Sequence, residues 1–233
     1  MRLIVIGPAG SGKSTFVKEF GNFLKEKDYE VKIVNLDPAS EPIYTADVDV
    51  RNFVKTEELM RKFALGINGA LLKSVEEMLK FSDEFKVSAN FVLYDTPGQM
   101  ELFIYSESGL ELIRRISDKF TAGIFLLDSS MIQTPENLVS GILQNVVVML
   151  RTSVPMITAV TKSDLFEVEI QEKIGELSSA KGVLAEIMEK FAPLVEYTTL
   201  RFRTIKISSV KKTGFQELFS LIQELFCVCG DLS

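Results

Sequence analysis

The sequence predicts an α/β fold, in which a doubly wound and mostly parallel sheet carries helices on both faces. Short runs that are nearly continuous in Val, Ile, Leu and Phe recur along the chain, as expected for strands that are covered on both sides. Segments of helical periodicity separate these runs, an alternation typical of parallel sheets. A glycine-rich turn stands between the first apolar run and the first helical segment.

The predicted elements follow one another in regular order. Apolar runs predict six strands, at residues 2–6, 31–36, 90–95, 122–128, 154–160 and 203–208. An apolar stripe that includes Phe16 and Phe20 predicts the first helix, and a stripe that begins at Phe215 predicts the last.

Two stretches, at about 51–85 and 165–200, are longer than a minimal crossover between strands and predict helical insertions. The first contains an apolar stripe that begins at Leu71, and the second is charge-mixed, as solvated helical faces are. No internal repeat and no linker rich in Pro, Gly or Ser divides the sequence. Residues 1–233 are therefore predicted to form a single domain.

Composition excludes several classes of function. The chain of 233 residues has a net charge of −6, which does not favour direct binding of nucleic acid. Histidine is absent, and the two cysteines, Cys227 and Cys229, cannot build a four-ligand zinc site or a disulfide framework. No apolar run approaches the roughly 18 residues of a membrane span, and the start of the sequence lacks the pattern of a signal peptide. We expect a cytoplasmic protein with no membrane partner.

The most specific motif is GPAGSGKS at residues 7–14, which matches the phosphate-binding pattern G-x-x-x-x-G-K-[ST] at every fixed position. Its glycines let successive backbone N–H groups turn toward an anion at the positive end of a helix. Lys13 is predicted to reach the β- and γ-phosphates, and the Ser14 hydroxyl to bind Mg²⁺. The predicted phosphate-binding residues are Gly10, Ser11, Gly12, Lys13, Ser14 and Thr15. The alternative, a chance glycine-rich turn, is disfavoured by the strand before it and the helix after it, and the fold expected is that of P-loop nucleoside triphosphatases.

A second motif, DTPGQ at residues 95–99, directly follows a predicted buried strand. A carboxylate at the end of a strand beside the phosphate loop is the place from which an aspartate holds Mg²⁺, so Asp95 is a predicted metal ligand. Gly98 is predicted to leave its N–H free for a γ-phosphate, and Gln99 to orient a water for in-line attack. The alternative is a simple strand-terminating turn, which Asp-Thr-Pro-Gly would also form.

The identity of the base is predicted by TKSD at residues 161–164, after the predicted strand 154–160. Guanine offers two donors, N1–H and the N2 amine, to one carboxylate, whereas adenine would leave the Asp164 carboxylate without them. The Lys162 stem can cover the base plane. Thr161 completes the motif, and Ser209 and Val210 stand where a backbone contact to guanine O6 is expected. The alternative is an ordinary Lys-Asp surface pair.

These motifs and their order resemble the GPN-loop GTPases, which are similar to the signal-recognition and MinD-type division of P-loop GTPases. Further matches are NLDPA at 35–39, DVDVR at 47–51 and GINGA at 66–70. The family's Gly-Pro-Asn stands here as Gly66-Ile67-Asn68, which removes the proline that would fix φ. Pro8 stands where MinD-type ATPases carry a second lysine, so that form of in-trans chemistry is not expected.

The resemblance implies roles for several residues. Asn68 would donate across a homodimer to the partner's γ-phosphate or attacking water, although the same position could be the N-cap of the following helix. Asp37 would lie near Mg²⁺ and the attacking water, although a Pro-flanked strand end is an alternative. Gln99 and Glu101 would act on the water, with Glu101 orienting its neighbours.

Together, the motifs and the resemblance lead us to expect a Mg²⁺-dependent GTPase that converts GTP to GDP, and the resemblance implies that it works as a homodimeric switch. The resemblance implies a role in the assembly of protein complexes such as RNA polymerase. Two rival functions remain at this point. A P-loop small-molecule kinase would require an acceptor, and a GTP-bound scaffold would bind nucleotide with negligible hydrolysis.

Overall fold

The structure is a computed structural model that describes residues 1–166, 186 and 204–227. The predicted insertion at 165–200 lies outside the described residues, apart from its first two residues and Glu186, and so does Cys229. Strands and helices alternate along the described chain. The strands are β1 Arg2–Ile6, β2 Val31–Asn35, β3 Val48–Asp49, β4 Phe91–Asp95, β5 Thr121–Asp128, β6 Met156–Thr161 and β7 Ile205–Lys206. The helices are α1 Lys13–Lys25, α2 Thr56–Phe63, α3 Ile67–Met78, α4 Met100–Ile104, α5 Glu107–Ile116, α6 Pro135–Thr152 and α7 Phe215–Cys227.

The seven described strands form one sheet in the order β3-β2-β4-β1-β5-β6-β7, and every neighbouring pair is parallel. The predicted α/β class is confirmed. Strand β3 was not among the predicted strands because its two residues are too short to form an apolar run. The predicted strand at 154–160 begins later, at Met156, and in the described part of the one predicted at 203–208 the strand covers Ile205–Lys206. Boundary differences of one or two residues are ordinary at strand ends.

Helices cover both faces of the sheet. On one face α1 and α7 bury a cluster of aromatic rings, in which Phe16 and Phe20 stack at 5.1 Å and Phe215 meets Phe20 edge-on at 5.3 Å. On the other face α3, α4, α5 and α6 pack over Ile4, Ile6 and Tyr94. The stretch 51–85 contains α2 and α3, so it adds helices to this second face. No helix of the described residues is long and apolar enough to cross a membrane.

The parallel arrangement brings the predicted motifs to one edge of the sheet. The carboxyl ends of β1, β2, β4 and β6 lead into the phosphate loop, Asp37, the DTPGQ turn and the TKSD motif, respectively. Ligands of open α/β sheets bind at this edge. Val5 of β1 pairs with Asp95 of β4, so the phosphate loop and the DTPGQ turn begin at the same level of the sheet. The order of the strands therefore assembles one site from segments that are far apart in the sequence.

Candidate nucleotide-binding site

The phosphate loop is built by glycines that have distinct tasks. Gly10 and Gly12 have φ of 77° and 87°, a conformation that L side chains rarely adopt, and Gly12 caps α1. Gly7 has a different reason, because a Cβ there would lie 2.6 Å from the Leu126 carbonyl oxygen and 2.8 Å from Ser11 Oγ. The loop is thus pressed against β5, and its N–H groups open at the N-terminus of a 13-residue helix.

Lys13 lies over this loop and is only 6% exposed. Its Nζ donates to the carbonyl oxygens of Gly7, at 2.7 Å, and Pro8, at 3.0 Å. Burial lowers the pKa of Lys13, whereas the carboxylates of Asp95, Asp37 and Glu101 act to raise it. Three of the carboxylates that the sequence singled out thus act on the charge of one ammonium group.

Asp95 is the most buried of these carboxylates, with 2% of its surface exposed. Its Oδ2 accepts a hydrogen bond of 2.7 Å from the Tyr44 hydroxyl, and its Oδ1 has no hydrogen-bond partner among the described residues. Burial raises the pKa of Asp95, whereas the hydroxyls of Ser14 and Tyr44 and the Lys13 ammonium act to lower it. Sequence reasoning missed Tyr44, since nothing in its loop position marks it as a partner of a residue 51 positions away.

The residues around Asp95 fit a magnesium ion. The unpartnered Asp95 Oδ1 and the nearby Ser14 hydroxyl together offer two hard oxygen ligands, the type that Mg²⁺ prefers. Within the described part of the chain no group of three or more His, Cys, Asp or Glu could hold a metal alone. This suits Mg²⁺, which is usually bound by one or two protein ligands together with substrate phosphates and water.

The Asp37 carboxylate joins the two loops that follow β2 and β4. Its Oδ1 accepts from the N–H groups of Ala39, at 2.9 Å, and Ser40, at 3.2 Å, and its Oδ2 accepts from Gly98 N–H at 3.1 Å. The prediction that the Gly98 N–H is free was therefore wrong for this conformation. The reason is that Asp37 offers an anionic oxygen at the place where a phosphate oxygen was expected.

A chain of buried hydroxyls continues from this loop to α3. Thr56 Oγ1 donates to the Pro38 carbonyl oxygen at 3.1 Å and lies 3.0 Å from Ser74 Oγ, which donates to the Ala70 carbonyl oxygen at 2.8 Å. Helix α3 also borders a cavity of about 140 Å³ that Asp37, Gly98 and Gln99 line together with Ile67. The start of α3 is therefore held beside the two loops at the phosphate end of the site.

Asn68 is the second residue of α3, and it is exposed. The N-cap of this helix is Gly66, without a side-chain hydrogen bond, so the N-cap alternative for Asn68 was wrong by two positions. Within the described residues the Asn68 amide makes no side-chain hydrogen bond. Ile67 is the first helical residue, a position where proline is tolerated and favoured. Isoleucine at this position therefore lacks the fixed φ that proline would supply, but the exchange costs no backbone hydrogen bond.

Gln99 and Glu101 begin α4 directly after the DTPGQ turn. Gln99 occupies the N-cap position of α4 without a side-chain cap bond, and its side chain is exposed. Glu101 lies in the first turn of α4, where a carboxylate suits the helix dipole, and it is exposed. Both side chains can therefore move toward a substrate without first breaking a cap.

The TKSD motif is attached directly to the phosphate loop. Thr161 Oγ1 lies 2.9 Å from the Ser11 carbonyl oxygen and 3.2 Å from that of Leu127, so its hydroxyl binds the loop rather than a base. Lys162 Nζ donates to the Gly10 carbonyl oxygen at 3.0 Å. The base-recognition segment and the phosphate loop are thus parts of one site.

Asp164 lies beside the turn that follows β7. The Ser208 hydroxyl, and more weakly the Lys211 ammonium, hold the pKa of Asp164 below its usual range. The carboxylate is therefore ionised at neutral pH, as recognition of two guanine donors requires. Ser209 is half-buried in this turn, and Val210 is 81% exposed. Their predicted backbone contact to guanine stays a prediction.

A second residue that sequence reasoning missed is Asp128, at the end of β5. Its Oδ2 forms an ion pair of 2.5 Å with Lys162 Nζ, and its Oδ1 accepts from Ser130 N–H at 2.9 Å and Ser130 Oγ at 2.8 Å. Burial acts to raise the pKa of Asp128, but the hydrogen bonds from Lys162 and Ser130 hold it below its usual range. A carboxylate at the carboxyl end of a strand next to β1 was the available signal.

Comparison with known proteins gives a consistent family. A family model described as "Conserved hypothetical ATP binding protein" matches residues 5–228. "GPN-loop GTPase PAB0955" of Pyrococcus abyssi is 30% identical over 255 residues, covering 100% of both chains. "GPN-loop GTPase QQT1" of Arabidopsis thaliana is 30% identical and covers 95% of this chain and 83% of its own. "GPN-loop GTPase 1" of Dictyostelium discoideum is 28% identical over 95% of this chain, which spans 60% of that longer relative.

A solved structure agrees with these relatives. The crystal structure of PAB0955, described as a GTPase in apo form from Pyrococcus abyssi, matches this fold with a TM-score of 0.85. The two chains are 29% identical in this superposition, which covers 98% of each. The likeness therefore extends over the whole sheet and the helices on both of its faces.

Proposed function

The chain belongs to the GPN-loop GTPases and is a GTPase, and from this premise we propose that it hydrolyses GTP to GDP and phosphate with Mg²⁺, as a homodimeric switch. One observation carries the proposal for a single guanine-nucleotide site. Thr161 and Lys162 of the TKSD motif bond to the carbonyl oxygens of Ser11 and Gly10 in the phosphate loop. The family model's description names ATP. The Asp164 carboxylate favours guanine, because it meets the N1–H and N2 donors there, whereas adenine has an acceptor at N1 and no amine at C2.

Catalysis in this proposal is positioning and neutralisation of charge. The loop N–H groups and Lys13 would bind the β- and γ-phosphates, and Gln99 would orient the attacking water. Ser14 and Asp95 would hold Mg²⁺, which when bound neutralises charge on the phosphate oxygens. Asp37 and Glu101 lie near enough to Lys13 to act on its pKa, so they belong to the same charged centre.

The switch in this proposal uses two contacts of the loop that contains Asp37 and Tyr44. Asp37 Oδ2 accepts the N–H of Gly98, which a γ-phosphate oxygen would also use. The Tyr44 hydroxyl donates to Asp95 Oδ2, on the carboxylate whose Oδ1 would hold the metal ion, so the hydroxyl and the metal would compete for the charge of one carboxylate. Binding of GTP and breaking of these two contacts are therefore coupled, and hydrolysis would let them re-form.

The homodimer proposal places Asn68 opposite the partner's phosphates. An exposed amide without a side-chain hydrogen bond in the described chain supports a role outside its own helix. Exposed apolar side chains lie near it in the sequence, at the end of α2 and on α3, with Phe63 at 44%, Ile67 at 50% and Leu72 at 40% exposure. Apolar clusters of this kind mark contact surfaces more often than scattered residues do.

Mixing two inactive variants tests this arrangement. Asn68→Ala subunits lack the donor, and Lys13→Ala subunits lack the phosphate-binding ammonium. In a mixed dimer, a donor that acts in trans from the Lys13→Ala chain would serve the intact phosphate site of its Asn68→Ala partner. We expect the mixture to recover hydrolysis that each variant alone has lost by about 10²-fold, the scale of one positioned donor. Confirmed mixed dimers without any recovery would overturn the in-trans role.

The biological role proposed is the assembly of protein complexes such as RNA polymerase, in the cytoplasm. Its support is the family resemblance and the coupling of GTP to the Asp37 and Tyr44 contacts. Pull-down of RNA polymerase subunits by the tagged protein should differ between GDP and a non-hydrolysable GTP analogue. Equal absence of these subunits in both samples would count against this role while leaving the GTPase activity untouched.

A further inference from the structure

Asp128 forms an ion pair with Lys162, and recognition of the base by Asp164 does not by itself require this pair. Asp128 is 6% exposed, and both of its oxygens are occupied. Oδ2 is 2.5 Å from Lys162 Nζ, while Oδ1 accepts the N–H and the hydroxyl of Ser130. The two hydrogen bonds from Ser130 therefore fix the carboxylate independently of its contact with the lysine.

Lys162 is held at both ends by the segment 128–130. Its backbone adopts φ of 56°, which costs energy for a residue with a Cβ, and its carbonyl oxygen accepts a hydrogen bond of 2.9 Å from Ser129 Oγ. Its ammonium group is held by Asp128 and by the Gly10 carbonyl oxygen. The four-carbon stem between these ends is thus stretched from β6 to the phosphate loop.

We propose that Asp128 is a positioning residue for nucleotide binding, which holds the Lys162 stem as a preformed platform for the guanine ring. The inference deepens the proposed function and rests on its guanine site. A lysine normally loses rotamer freedom when it is ordered by a ligand. Here Asp128 has already ordered it, so the bound nucleotide does not have to.

The expected effect is on binding and not on the chemical step. Asp128→Asn keeps the shape of the side chain but removes its charge and places an amide against the ammonium. We expect the Kd for GDP to rise about 3- to 10-fold, the range for ordering one long side chain. The KM for GTP should rise by a similar factor with kcat unchanged, because the ring is covered equally in ground state and transition state.

A double-mutant cycle separates positioning from a purely structural role. Lys162→Met keeps an apolar stem but removes the ammonium that Asp128 holds. In that background we expect Asp128→Asn to leave the Kd for GDP unchanged within about twofold. If Asp128 acted only by ordering residues 128–132, the substitution would weaken GDP binding by the same factor in both backgrounds, and the inference would be overturned.

Ser130→Ala is the matched control, since it removes one donor to the same carboxylate and leaves the Lys162 contact in place. We expect less than about a twofold change in the Kd for GDP, and a change as large as that of Asp128→Asn would contradict the inference. If Asp128→Asn does not fold, the mobility of the Lys162 ammonium can be measured by NMR in the unmutated protein. The Lys162→Met variant assigns its signal. A Lys162 ammonium as mobile as those of exposed lysines would then overturn the inference.

These outcomes are distinct from failure of the proposed function. Equal affinity of the unmutated protein for GDP and ADP would remove the guanine site itself. Preference for GDP together with an unaltered Kd in Asp128→Asn would remove only the positioning role.

Discussion

Replacing Tyr44 by Phe removes one hydroxyl from the centre of the proposed switch. The Tyr44 hydroxyl donates to Asp95 Oδ2 at 2.7 Å, while the ring packs against the cluster under α1 and can stay in place. Burial and the neighbouring Asp95 carboxylate raise the pKa of Tyr44, so the hydroxyl remains a donor across the accessible pH range. A hydrogen bond to a charged group contributes about 1.5–3 kcal/mol net. Tyr44→Phe should therefore lower the free energy of unfolding by about this amount.

The same change should strengthen binding of Mg²⁺ with a non-hydrolysable GTP analogue, because the proposed switch breaks the Tyr44 contact in the GTP-bound form. If the hydroxyl and the ligand compete for Asp95, the bound form does not contain the Tyr44 contact and loses nothing when it is removed. The affinity of Tyr44→Phe should then rise by the free energy that its ligand-free form has lost, about 10- to 150-fold. Urea unfolding with and without saturating Mg²⁺ and the GTP analogue, together with calorimetric titration, measures both quantities.

Tyr94→Phe is the control, because the Tyr94 hydroxyl donates to the Phe85 carbonyl oxygen at 2.9 Å, on the face of the sheet opposite α1. It should lower stability by about 0.5–1.5 kcal/mol and leave the affinity for the GTP analogue unchanged. The reasoning is refuted if Tyr44→Phe loses the same stability with and without ligand, since the contact would then persist in both forms.

Three further predictions follow from the site. Lys13→Ala should fold and lose GTP turnover, because the Lys13 ammonium is the group predicted to neutralise the β- and γ-phosphates; unchanged hydrolysis by the folded variant would remove the phosphate-loop assignment. Asp164→Asn should weaken GTP binding and favour xanthosine triphosphate, because an amide can donate to the xanthine oxygen, and competition binding with both nucleotides checks this. Asp128 has its pKa held below the usual value of about 3.9, so it stabilises the fold above that pH and the contribution disappears as pH falls through the lowered pKa. Urea unfolding from pH 7 downward should show a cost of Asp128→Asn that is constant to about pH 5 and shrinks below about pH 4.

The parts of the fold that sequence could predict are those set by local patterns. Long apolar runs predicted β1, β2, β4, β5 and β6 to within two residues, since strands covered on both faces must be apolar throughout. The two-residue β3 has no such run and follows from its pairing with β2 in the folded sheet. The phosphate loop was predictable because its glycines and Lys13 are adjacent in the sequence.

The parts of the site that could not be predicted are contacts between distant segments. The bonds of Asp37 to Gly98 and of Tyr44 to Asp95 span 61 and 51 positions, and no periodicity encodes them. The N-cap alternative for Asn68 at the start of α3 was wrong for another reason. Asn68 and Gly66 are both acceptable N-caps in sequence, and only the backbone shows that Gly66 is used.

Hydrolysis by the unmutated protein tests the central claim most directly, namely that the phosphate loop and the TKSD motif form one Mg²⁺-dependent GTPase site. Single-turnover reactions with GTP and ATP, each with Mg²⁺ and with a chelator, measure base preference and metal dependence together. We predict release of phosphate from GTP with Mg²⁺ and water alone, a loss of about 10²-fold or more without the metal, and at least about 10²-fold slower reaction of ATP. Equal rates with ATP and GTP, or turnover that requires an acceptor other than water, would contradict the account.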